Sequence, residues 1–192
     1  AFAIALGIVS VSRLFAPIFW GEDFAPCAYI LSALALSIPF SGFANVIRMQ
    51  YLIPNGMDGA YILSVILGAV SNLTANSLLI PRCGALGAAV GTVIAEGVVC
   101  AAQCLAVKKR IDILAYLKST AFFGMAGLLM YGAVQVLDQR AEITVSWLLL
   151  EIVVGGSVYC ILSVLYLYHT KNELLMTALQ KLGGAHQNND RG

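Results

Sequence analysis

The chain has 192 residues, of which 60% are apolar and 11% charged, whereas a soluble domain carries roughly 25% charged residues. So few charges exclude an ordinary water-facing surface, and a mean hydropathy of +0.87 points to the bilayer. The formal net charge of +1 gives no bias toward nucleic acid, so none is expected as a partner.

A helix needs roughly 20 apolar residues to cross a hydrocarbon layer about 30 Å thick. Six stretches reach that length in chain order: 1–19, 27–47, 60–80, 85–107, 119–137 and 145–168. They lack the alternation and the length of about 10 residues expected of barrel strands. The expected fold is therefore all-α, a polytopic membrane helical bundle of six transmembrane helices over residues 1–170. Turn and charge signals separate the stretches: Gly21-Glu22-Asp23, the run 54–59 with Pro54 and Gly56, Pro81-Arg82-Cys83-Gly84, the basic 108–118 segment, and 138–142. Residues 171–192 read as a cytoplasmic tail, with Leu174, Leu175, Ala178, Leu179 and Leu182 at the spacing of a short interfacial helix, followed by a disordered Gly/Asn-rich end. The chain opens inside an apolar stretch with no basic leader or cleavage site, so it is not read as a signal peptide and is expected to be part of a longer protein.

Cations near span ends set orientation. Arg48, Lys108, Lys109, Arg110, Lys118, Lys171, Lys181 and Arg191 fall on one side, and Arg13, Arg82 and Arg140 on the other. The richer side is cytoplasmic by the positive-inside rule, which places both termini there, in the cytoplasmic (inner) membrane of the cell. Phe19, Trp20 and Trp147 then mark the outer interface, and Tyr51, Tyr61, Tyr116, Tyr166 and Tyr168 the inner one. Arg13 and Glu151 read as outer interfacial residues.

Polar side chains at membrane depth are costly unless they face protein or water, so their spacing identifies the inward face. The second stretch carries Ser37, Ser41, Asn45 and Arg48; the third Ser64, Gly68, Asn72 and Asn76; the fourth Thr92, Glu96, Cys100 and Gln103. Each set recurs at helical spacing and forms one stripe. Three striped neighbours are expected to line a hydrated cavity, with Arg48, Asn45, Ser41, Asn72, Asn76, Thr92, Glu96 and Gln103 as its cavity-lining, substrate-binding candidates. Glu96 stands at the centre of its stretch, where an ionised carboxylate costs on the order of 3 kcal/mol and requires a partner, a coupling cation or a proton. Interhelical hydrogen bonding is the competing explanation of the stripes. Gly87, Gly91 and Ala95 have the small-residue spacing that permits close helix approach, and Pro39 is placed to kink the second stretch.

The remaining chemistry is sparse. Five cysteines and two histidines, mostly within apolar runs, suggest neither a disulfide framework nor a metal site. No His lies inside a span and no loop is long enough to build an active site, so neither an enzyme nor a cofactor is expected. The run Gly84-Ala-Leu-Gly87-Ala-Ala-Val-Gly91 lacks the following Lys-Ser/Thr of a phosphate-binding loop.

The segment from Asn72 to Glu96, with Asn72, Asn76, Leu79-Ile80-Pro81, Gly84, Gly87-Ala88-Ala89, Thr92 and Glu96, resembles the polysaccharide flippases of the multidrug/oligosaccharidyl-lipid/polysaccharide exporter superfamily. Phe15-Ala-Pro-Ile-Phe-Trp-Gly-Glu-Asp-Phe24 is similar to a span-ending segment of that family. The likeness covers roughly residues 10–110, and the last two stretches agree in topology alone. Arg82-Cys83 departs from the aromatic residue common before the glycine. The resemblance implies the C-terminal lobe of a MATE-like fold, spans nine to fourteen of about fourteen, partnered by an N-terminal lobe of the same protein. It further implies alternating-access flipping of undecaprenyl-linked oligosaccharide or polysaccharide repeat units, with lipid-linked oligosaccharide and membrane lipids as partners and a coupling cation as a candidate. Drug/cation antiport within the superfamily and a non-transporting membrane scaffold are the alternatives.

Overall fold

The computed structural model describes residues 1–169, and the tail expected from residue 171 lies outside the described residues. Every long element among them is helical. Helix α1 (Phe2–Trp20) ends at Gly21, whose φ of 95° lies where side chains are disfavoured. A 3₁₀ turn (Glu22–Phe24) leads into α2 (Cys27–Ala35), which is followed by α3 (Ser37–Ile47). Pro39 accounts for the break between α2 and α3. It has no N–H to offer the Ala35 carbonyl and its ring crowds that oxygen, so the ladder tightens locally and Leu36 N–H bonds Ala33 O at 3.1 Å. The α3 helix passes into a π-turn (Arg48–Leu52), with Ile53 N–H donating to Arg48 O at 3.0 Å. Such turns push one residue out of helical register and are frequent at functional sites.

Helix α4 (Asp58–Val107) contains 50 residues, which as a straight rod would reach ~75 Å, more than twice the thickness of a hydrocarbon layer. It is a hairpin. Gly84 takes φ 56°, ψ −134°, outside helical space and accessible to glycine. Contacts across the turn pair Leu79 with Gly87, Asn76 with Gly91, Gly68 with Val99, and Ser64 with Gln103. Because one partner's number falls as the other's rises, residues 58–83 and 85–107 run antiparallel and packed. The tight turn is a single residue, with helix running through Pro81 and Arg82.

Helix α5 (Ile113–Asp138) starts six residues before the expected 119, because Asp112 caps it: its Oδ1 accepts from Ala115 N–H at 3.2 Å. Lys118 and Tyr116 are therefore helical. Helix α6 (Val145–His169) follows.

Helix α1 packs against α2, α5 and α6, whereas α3 and α2 pack against α4. The α5 face toward α1 and α6 is a stripe of Ala126, Gly127, Met130, Val134 and Asp138, with Leu6 seated on Gly127 and Val134 against Gly155. At one end of α4, Ile47, Leu52 and Val107 form a buried cluster. Elsewhere the apolar residues point outward: Leu63, Ile66, Val70, Leu73 and Leu78 are all more than half exposed. Five helices, counting α2, α3 and the π-turn as one and the α4 hairpin as one, are long and apolar enough to cross a membrane, and a contiguous apolar exterior of this kind suits a multi-pass membrane protein.

With hydrocarbon outside, interhelical contacts rest on close packing and hydrogen bonds. The arms of α4 show both. Gln103 Nε2 donates to Ser64 Oγ at 3.1 Å in a buried setting, and Ser64 Oγ–H donates to Tyr61 O at 2.6 Å. Gln103 Oε1 is buried without a partner. Ser64→Ala is expected to orphan the rest of the Gln103 amide and to lower stability by about 1 kcal/mol, within the range for interhelical hydrogen bonds. Gln103→Leu, which removes the polar group altogether, is expected to cost less. Thermal unfolding of the two variants in detergent tests the order.

Candidate functional site: a polar groove between α3 and α4

A groove of about 890 Å³ runs between α3, the π-turn and both arms of α4. All eight residues singled out in the sequence line it: Ser41 and Asn45 from α3, Arg48 from the π-turn, Asn72 and Asn76 from the first α4 arm, and Thr92, Glu96 and Gln103 from the second. Ser37, earlier in the α3 stripe, joins them. Helical spacing places the stripe of each rod on one face, and the Gly84 hairpin brings two of those faces side by side.

The polar groups are unevenly satisfied. Asn76 Nδ2 donates to Asn72 Oδ1 at 2.9 Å, while Asn76 Oδ1 rests against the Gly91 backbone and has no hydrogen-bond partner. Thr92 Oγ1 donates to Ala88 O of its own helix at 3.1 Å. Arg48 donates through Nη2 to Asn45 Oδ1, lies 5.3 Å from the Tyr61 ring centroid, and has a buried Nε without a partner. The π-turn sets that position, and Tyr61, read from sequence as an interfacial anchor, forms the aromatic platform beneath the guanidinium. Glu96 is half-buried and makes no hydrogen bond or ion pair among the described residues.

Arg48 and Glu96 act at different levels. The antiparallel pairing sets Glu96 level with Asn72, and Arg48 stacks on Tyr61, eleven residues earlier on the same arm. At 1.5 Å per residue the separation along the helix axis is about 16 Å. The groove therefore carries a cation toward one end and a carboxylate at mid-length, with Gln103 between them and Asn76 and Thr92 beyond the carboxylate. Arg110, at the end of the second arm, reaches Met57 Sδ at 3.5 Å and places the Lys108–Arg110 cations at the Arg48 end of α4, away from Gly84. Its volume falls in the upper part of the roughly 300–1,000 Å³ typical of small-ligand sites.

Several readings change. Cys100 is buried and Cys104 half-buried, and neither lines the groove, so thiol labelling at these two cysteines does not report on it. Glu151, read as an outer interfacial residue, is fully buried within the protein. Arg13 is exposed but pairs with Asp138, which closes α5 instead of lying in a loop. A lone acidic residue in an apolar helix gives no sequence signal that separates an interfacial position from a buried one.

The chain matches no protein-family model, no curated protein and no solved structure.

Proposed function

We propose that the chain is the C-terminal lobe of a lipid-linked oligosaccharide flippase, six membrane spans with the α4 hairpin supplying two. The carrying observation is the convergence of three polar stripes on one groove. A phosphate or pyrophosphate linked to undecaprenol suits Arg48, whose guanidinium presents several donors to anionic oxygens. The amides and hydroxyls of Ser41, Asn45, Asn72, Asn76 and Thr92 suit sugar hydroxyls, and the lipid tail stays in the bilayer beside the apolar exterior. The resemblance pairs this lobe with an N-terminal one, and rocking between them alternates access to the groove. Both ends of the lobe are cytoplasmic in this reading, in the inner membrane, as the distribution of cations supports.

Drug/cation antiport within the same superfamily is the second reading, favoured by the unpaired Glu96 carboxylate, which attracts a cation. The two separate in cells. For the flippase, an intact transporter carrying Glu96→Gln, Arg48→Ala and Asn72→Ala/Asn76→Ala together loses polymer export; normal export removes the flippase reading. Antiport predicts cation-dependent efflux of small organic cations with surface glycan unaffected.

A further inference from the structure

On the opposite part of the bundle, α1, α5 and α6 enclose a second cleft of about 380 Å³. Its wall is mainly hydrocarbon, including Ile8, Met130 and Val134, with Glu151 set into it. Glu151 has no exposed surface, and neither carboxyl oxygen has a hydrogen-bond partner among the described residues. Asp138 is likewise buried; its Oδ2 lies 3.2 Å from Arg13 Nη1, and its Oδ1 has no partner.

The charges that act on Glu151 come from Asp138 of α5 and Arg13 of α1. Arg13 is the only charged side chain in α1; α5 otherwise carries Lys118, five turns away, and α6 otherwise carries His169 at its far end. Tyr159 and Cys160, further along α6, complete the ionisable groups of the cleft. The guanidinium beside these two buried carboxyls is mostly exposed and pairs with Asp138, not with Glu151. One negative charge is left over in a hydrocarbon wall, an arrangement that requires a counter-charge.

We propose that Glu151, with Asp138 and Arg13, forms a site that binds and releases one proton. The proton adds to a Glu151 carboxylate oxygen to form an O–H bond and returns to water on release; no electron moves. Among the described residues no three His, Cys, Asp or Glu side chains gather here to hold a metal ion, so a proton is the counter-charge that fits. The site shares no residue with the α3–α4 groove and stands independently of the transport reading.

Infrared difference spectroscopy of the intact protein in lipid nanodiscs reads the proton directly. Wild type is expected to show a protonated-carboxyl C=O band that disappears reversibly on alkalinisation and does not respond to exchanging potassium for sodium. Glu151→Gln, isosteric with the protonated acid, is expected to fold and to lack the band. Arg13→Gln removes the cation and is expected to shift loss of the band to higher pH. Absence of the band in wild type, its persistence in Glu151→Gln, no shift in Arg13→Gln, or a carboxylate signal that follows sodium in place of pH overturns the proposal.

Discussion

Gly87→Leu is expected to abolish the packed α4 hairpin, and Gly87→Ala to destabilise it by about 1–3 kcal/mol, the usual cost of forcing extra carbon into a filled interface. A Cβ at residue 87 would lie 2.5 Å from Leu79 O and 2.6 Å from Leu79 C. Those atoms are backbone, so the arms themselves must separate. Ten residues along the same arm, Gly97 has nothing within 4 Å of its would-be Cβ. Gly97→Ala is expected to be neutral or stabilising by up to about 1 kcal/mol, because alanine is the better helix former. Thermal unfolding and monodispersity in detergent compare the variants. Equal tolerance at both positions contradicts the hairpin packing, and with it the juxtaposition of Asn72 and Asn76 with Thr92 and Glu96.

The second large effect falls on Arg48. If the groove takes an anionic lipid phosphate, Arg48→Ala removes charge-assisted hydrogen bonds worth about 1.5–3 kcal/mol, and export falls roughly 10- to 100-fold. Arg48→Lys keeps the charge but loses the planar fork and is expected to recover export only in part. Tyr61→Leu, which removes the ring beneath the guanidinium, is expected to cost less, because a cation–π contact contributes about 0.5–2 kcal/mol. Rates of polymer export at matched expression rank the three. A normal rate for Arg48→Ala removes Arg48 from the transport pathway.

The parts of the site that were legible in the sequence depend on helical periodicity. Residues three and four apart share a face whatever the tertiary structure, so Ser41, Asn45 and Arg48, or Asn72 and Asn76, declare their common orientation locally. The contacts between faces are not local. Nothing in the spacing reveals that Arg48 starts a π-turn over Tyr61, a geometry settled by packing of Ile47 and Leu52 on Val107. Pro39 announced its break, since the missing N–H acts within one turn. The early start of α5 was also readable from Asp112 as a cap, but the basic residues on either side, Lys108 to Arg110 and Lys118, hid it beneath a connection signal. The Glu151 cluster was least legible: its members come from three helices, and a buried carboxyl resembles an interfacial one until the neighbours are placed.

The measurement closest to the central claim is cysteine accessibility of the intact protein in its membrane, on a background with the five native cysteines replaced. Single cysteines at Asn45, Asn72 and Thr92, which line the groove, are compared with cysteines at Leu63, Val70 and Leu78 on the apolar exterior. A water-filled groove predicts that the first three react with a small charged thiol reagent and that the second three stay unreacted behind lipid. Reaction at the exterior positions with protection at Asn45, Asn72 and Thr92 would mean that the polar stripes hold the helices together and line no aqueous path.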